Sequence, residues 1–150
     1  MTDVRIRPAA IEDEAEVLAL IEELFEPPGV RVPSYTLERG RGGFKHAVHD
    51  RDADVLLAVD GERIVGLASV YADILSIRYG PRCWLQDLVV ASTHRGEGIG
   101  AKLIEAASEW ARERGCTHLA LSSGEGRKDA HRFYRSQGMS QSYNFSLWID

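Results

Sequence analysis

No stretch constrains this chain more than Leu85 to Ala101, which reads LQDLVVASTHRGEGIGA. Cys83 to Val90 is a β-favouring run. A short polar loop carries it into Arg95-Gly96-Glu97-Gly98-Ile99-Gly100. A helical stretch begins there, Gly98 to Arg114, with Ile99, Leu103, Ala107, Trp110 and Ala111 on one face and Gly115 at its end. A strand that empties through glycines onto a helix start is suited to hold an anion. Without side chains, backbone N–H groups approach a phosphate closely, and the helix N-terminus adds partial positive charge. Arg95 adds a formal charge beside the same spot.

The remaining segments build a sheet around that unit. Val4 to Arg7 alternates and stops at Pro8, a short first strand. Ile11, Val17, Leu18, Ile21, Leu24 and Phe25 recur at helical spacing, and Pro27-Pro28-Gly29 ends that helix. Residues 30–43, with Pro33, Tyr35 and Gly40-Arg41-Gly42-Gly43, read as a mobile loop with a helical turn or two on either side. Val55 to Val59 and Ile64 to Tyr71 make a hairpin about Asp60-Gly61, and residues 72–82 extend its second strand toward a turn at Gly80-Pro81. Thr117 to Leu121 is a short apolar strand, and Lys128 to Gln137 a helix closed by Gly138. Ser140 to Ile149 reads as a final strand, with Tyr143, Phe145, Leu147 and Ile149 alternating. The order is β, α, a three-strand meander, then α, β, α, β. No repeat or linker interrupts it, so residues 1–150 are expected to form a single domain.

Composition excludes several classes. At 44% hydrophobic and 27% charged the chain is ordinary globular material. No apolar run approaches the roughly 18 residues of a membrane helix, and no signal-peptide pattern opens the sequence, so a cytoplasmic protein without membrane partners is expected. The net charge of −5 argues against a general nucleic-acid binder. Cys83 and Cys116 read as reduced core thiols. His46 and His49 have metal-like spacing, but no further ligands follow and no metal site is expected. His131, Arg39 and Arg41 suit solvated surfaces, with His131 close enough to Tyr134 on its helix to approach a ligand there.

Two motifs together carry a family resemblance. Leu88-Val89-Val90 followed by Arg95-Gly96-Glu97-Gly98-Ile99-Gly100 resembles the acyl-coenzyme A signature of the GNAT N-acetyltransferase superfamily. Ala130-His131-Arg132-Phe133-Tyr134 ending at Gly138-Met139 resembles that family's second motif. The resemblance implies an α+β (three-layer α/β) fold, with a mixed, mostly antiparallel, splayed central sheet of about six or seven strands flanked by about four helices. It implies acetyl-CoA as co-substrate, held where two neighbouring parallel strands part. Cofactor contacts are expected from Leu88, Val89, Val90, Arg95, Gly96, Glu97, Gly98, Ile99, Gly100, Ala101 and Tyr134. Where the family often carries Asn, this chain has Arg127, which either reaches the phosphates or leaves that contact to water and backbone.

The reaction implied is direct attack of an amine on a thioester. The amine must be neutral, and a lysine-like amine with a pKa of about 10.4 is disfavoured in that form at pH 7 by about 4.6 kcal/mol. A general base relieves part of this cost. Asp87 is the candidate, with Gln86 beside it. Adjacent strand positions point opposite ways unless a bulge intervenes, so only one of the two should face the amine. Tyr134 fits the family's general-acid position, opposite the departing thiolate. Phe25, Gln86 and Asp87 are the expected acceptor contacts. The acceptor is expected to be a small-molecule or peptide amine, and exposed strand edges leave room for a homodimer. Two rivals remain. Gly96-x-Gly98-x-x-Ala101 also satisfies a dinucleotide fingerprint of an NAD-type oxidoreductase, although the acid expected about 20 residues on is missing. A non-catalytic acyl-CoA sensor would use the same cradle.

Overall fold

The structure, a computed structural model, describes residues 3–72 and 75–149. Five strands lie in chain order across one sheet: β1 (Val4–Pro8), β2 (Ala53–Asp60), β3 (Arg63–Ala72), β4 (Cys83–Val90) and β5 (Leu119–Ala120). The first four are antiparallel neighbours, while β4 and β5 run parallel. Four helices flank them: α1 (Glu14–Glu23), α2 (Leu37–His49), α3 (Ile99–Glu113) and α4 (Lys128–Ser136). This is the expected α+β class. The sheet has fewer strands than expected among the described residues, because the alternating C-terminal segment pairs with nothing there.

The sheet divides two cores. On one side α3 packs Ile99, Leu103, Ala107 and Trp110 onto Ala68, Val70, Cys83 and Leu85. On the other, α1 and α2 pack Val17, Leu20, Phe44 and Ala47 onto Val55, Leu57, Leu67 and Val89. Alternation along each strand delivers one set of side chains to each side.

Three expectations need correction. The glycine cluster at residues 40–43 lies inside helix α2 rather than in a mobile loop. Thr36 caps that helix by accepting the Arg39 N–H at 3.1 Å. Burial of Phe44 and Ala47 then offsets the helix penalty of the glycines. The strand extension through residues 72–82 is replaced, where it can be followed, by a tight turn with Ser76 bridged to Gly80; Asp73 and Ile74 lie outside the described residues. Among the described residues, 140–149 take no strand partner, and Tyr143, Phe145, Leu147 and Ile149 are 84, 92, 81 and 84% exposed.

Candidate active site

The glycine turn has the geometry its sequence demands. A 3₁₀ turn at Ser92–His94 leaves β4, and its His94 Nε2 sits 3.1 Å from Asp60 Oδ2, pinning the loop to the end of β2. Arg95 Nε donates to the Val90 carbonyl at 3.2 Å. Gly96 and Gly98 then adopt left-handed φ values of 80° and 79°, which L side chains disfavour. A Cβ at either would meet nothing within 4 Å, so backbone conformation rather than crowding requires glycine there. Gly98 caps α3, and the N–H groups of residues 98–101 make no backbone hydrogen bond among the described residues. These donors at a helix start fit a diphosphate. Glu97 is exposed on the turn, whereas the Ile99 side chain is core. Gly100 meets a further constraint: a Cβ there would lie 3.0 Å from Phe133 Cζ, so its bareness lets α4 pack against α3.

Beyond the turn the sheet opens. β4 and β5 pair only at Cys83–Leu119 and Trp84–Ala120. From Leu85 to Val90 the edge of β4 that points away from β3 has no neighbouring strand among the described residues. The main-chain groups between Leu88 and Val90 that are not spent on β3 face this opening, the Val90 carbonyl being engaged by Arg95 Nε, and an amide-bearing chain can be laid alongside them, as in strand addition.

A bulge sets the chemistry of β4. Ser69 pairs with Asp87 and Val70 with Leu85, so Gln86 is an extra residue in the ladder. A regular strand would send Cys83, Leu85, Asp87 and Val89 to one face and bury the carboxylate under α3. With the bulge, Cys83, Leu85, Leu88 and Val90 face α3, while Asp87 and Val89 face α1 and α2. Gln86 and Asp87 line adjoining cavities that share Tyr71 as a wall, Gln86 being held by the Trp84 indole N–H at 2.8 Å. Of the pair, Asp87 alone lines the cavity between α1, α2 and the sheet.

Asp87 lines a cavity of about 300 Å³ between α1, α2 and the sheet. Its Oδ2 accepts the Ser69 hydroxyl at 2.8 Å, and its own N–H donates to Ser69 Oγ at 2.9 Å. Burial raises the Asp87 pKa above the ordinary carboxylate range, and the Ser69 hydrogen bond opposes that rise. Tyr71 is also raised, by burial first and by the Asp87 charge second. Phe25 lines the same cavity, its ring tilted against Tyr35 at 5.0 Å. Tyr35 and Tyr71 bound the stretches from which the resemblance implies an acceptor pocket, whereas Ser69 was not singled out from sequence. A polar residue inside the apolar run Leu67-Ala68-Ser69-Val70 was the available sign for Ser69.

Tyr134 stands on α4, half-buried, outside the lining of the Asp87 cavity. Burial raises its pKa, and the nearby Arg127 charge partly counters that. Arg127 donates from Nη2 to the Leu24 carbonyl at 2.7 Å. It therefore joins the start of α4 to the chain leaving α1, next to the cavity wall. His131 Nε2 lies 2.8 Å from the Gly124 carbonyl and steadies the preceding loop. His46 and His49 project from α2 into solvent, and no metal-ligating cluster occurs among the described residues. Cys83 and Cys116 are free and buried, and burial pushes the Cys83 thiol up to about 11. No helix among the described residues is long and apolar enough to cross a membrane.

The same architecture occurs in known proteins. Residues 17–139 match the family model described as Acetyltransferase (GNAT) family. The chain is 33% identical over 141 residues to an aminoalkylphosphonate N-acetyltransferase of Salmonella typhimurium (strain LT2), covering 92% of this chain and 86% of that protein. It is 48% identical over 60 residues to an uncharacterized N-acetyltransferase of Bacillus subtilis (strain 168), a match that spans only 40% of this chain and 42% of that protein. In fold it superposes, with a TM-score of 0.84 and 14% identity, on an aminoglycoside acetyltransferase AAC(6')-Iy in complex with a CoA bisubstrate analog, covering 99% of both chains.

Proposed function

The chain belongs to the GNAT acetyltransferase family, and from that premise we propose that it acetylates a primary amine by direct attack on acetyl-CoA, with Asp87 as proton acceptor and Tyr134 as acid. Family membership makes it an acetyl-CoA-dependent acyltransferase and sets aside the dinucleotide reading. The observation that carries the finer reading is a buried carboxylate, its pKa raised, lining a largely apolar cavity on the bulged segment where β4 has parted from β5.

The free N–H groups at the start of α3 and Arg95 hold the diphosphate. The exposed edge of β4 at Leu88–Val90 holds the amide-bearing arm. The amine enters as an ammonium and pairs with Asp87, which then takes its proton. A base whose pKa lies above the ordinary carboxylate range is better matched to that task than a solvated aspartate. The amine nitrogen bonds to the acetyl carbon as the C–S bond breaks. Tyr134 donates a hydrogen bond to the departing sulfur. At about 10 against about 8.5, full proton transfer from tyrosine to thiolate is uphill by about 2 kcal/mol, so Tyr134 acts chiefly by stabilising charge. The relative named for aminoalkylphosphonates supports a small amine as acceptor.

Titration with acetyl-CoA, followed by release of free thiol on adding a panel of amines, tests this reading. Acetyl-CoA binding that Gly98→Glu abolishes, together with amine-dependent thiol release, is expected. Binding with no thiol release from any amine would instead support the sensor reading.

A further inference from the structure

We infer that the acceptor is a small zwitterion, a primary amine joined by a short chain to a carboxylate or phosphonate, and that Arg39, Tyr35 and Ser34 receive its anionic end. This rests on the acetyltransferase reading and names the substrate class of that same site. The cavity that holds Asp87 carries polar groups on two walls. Ser69 and Tyr71 of β3 accompany Asp87 on the sheet. Ser34, Tyr35 and Arg39 stand where the chain enters α2. Asp87 and Arg39 are the only acidic and the only basic residue of the lining, and no ion pair joins them. Two opposite charges that face one space without meeting are matched by a ligand that carries both. The second ammonium of a diamine would face Arg39 instead, a like charge. Asp87 is the more buried of the two and Arg39 is exposed, so the amine enters first and the anion stays near solvent, where it keeps part of its hydration.

The state of Arg39 supports this assignment. Its guanidinium has no partner among the described residues, and only its backbone N–H is engaged, by Thr36. Nearby arginines are already paired: Arg31 with Glu22 at 2.6 Å, and Arg41 with Glu14 at 3.6 Å. Arg39 is also the third residue of α2, behind a threonine cap. Local rules favour glutamate there, because it completes a capping box and suits the positive end of the helix. An arginine at that position works against the helix, and such departures fall where function requires them.

Tyr35 supplies an independent observation. Its Oη is buried and has no hydrogen-bond partner among the described residues. Phe25 tilts against its ring, and a Cβ at Gly40, next to Arg39, would come within 3.1 Å of that Oη. A buried hydroxyl left unpaired is costly. Donation to a carboxylate or phosphonate oxygen held by Arg39 would satisfy it with a charge-assisted bond. The transfer is the one proposed above: the amine nitrogen bonds to the acetyl carbon, the C–S bond breaks, the thiolate leaves, and Asp87 takes the proton.

The test compares kcat/KM, read by thiol release, for primary amines with two to five carbons between the amine and a terminal carboxylate, phosphonate, amide or second amine. At the best length one of the anions is expected to exceed its amide by at least about tenfold, and its diamine by more. The carboxylate and phosphonate arms show which anion the subsite takes. Arg39→Gln should reduce the anion-to-amide ratio to within about threefold of one, and Tyr35→Phe should lower it several-fold. Arg39→Glu, which the helix start accommodates, should put the diamine ahead of the anion. Retained acetyl-CoA affinity shows that each variant is folded. A wild-type ratio near one, a wild-type lead for the diamine, or an anion preference that Arg39→Gln and Arg39→Glu leave intact overturns the inference while acetyltransfer stands. Failure of every amine, with acetyl-CoA still bound, overturns the catalytic reading and this inference with it.

Discussion

At the scale of single residues, Asp87 and Tyr134 separate two halves of one transfer. Asp87→Asn should lower kcat/KM by about 10²–10³ while leaving acetyl-CoA affinity unchanged, as measured by thiol release and calorimetry. Because burial raises the Asp87 pKa, the ascending limb of the wild-type pH–rate profile should lie above the ordinary carboxylate range, and the variant should lack it. Stability carries the matching sign. A folded pKa raised above the unfolded value means a contribution present at low pH and lost as pH rises through the folded pKa. The free-energy gap between wild type and Asp87→Asn, from denaturant melts, should therefore widen against the wild type as pH rises through that window. Tyr134→Phe should reduce kcat by about tenfold or more with little change in acetyl-CoA binding. Unchanged turnover in that variant would remove the tyrosine from its role.

At the scale of elements, two glycines only two positions apart, Gly98 and Gly100, answer to different forces. Gly98→Glu adds a side chain to open space, but in a left-handed backbone and with a charge like that of the diphosphate. It should cost about 1 kcal/mol in stability and far more in acetyl-CoA affinity. Gly100→Val drives α3 against Phe133 and should destabilise by about 1–3 kcal/mol in a thermal or denaturant melt. The glycine-rich turn, β4, α3 and α4 were legible in the sequence because periodicity, turn residues and caps agree there. Helix α2 was not, because the local cost of Gly40, Gly42 and Gly43 is outweighed only by the burial of Phe44 and Ala47, which is a tertiary effect. The bulge at Gln86 was equally hidden: the run CWLQDLVV does not say which residue the ladder skips, and register alone decides it. Arg127 broke the expected pattern for a reason a sequence cannot express, its tie to a carbonyl in another helix's exit.

At the scale of the whole molecule, the sheet keeps two cores apart. Leu57 is fully buried on the α1–α2 side, and Ile104 is buried on the α3 side. Leu57→Ala should cost about 2–5 kcal/mol and Ile104→Val about 0.5–1.5. Because the two sites lie on opposite sides of the sheet, the double variant should equal their sum within about 0.5 kcal/mol in a denaturant melt. A larger coupling would mean that strain crosses the sheet.

The extra residue in β4 gives the molecule an uncommon tolerance to a shortened gene. Deleting Gln86 would close the ladder between Ser69–Asp87 and Val70–Leu85 into a regular zigzag, with Cys83, Leu85, Leu88 and Val90 still inside and Asp87 still turned toward the chamber. Such a chain should mature and melt much as its parent does. What it forfeits is the local kink beside Asp87, so it would be a well-folded protein that no longer turns over.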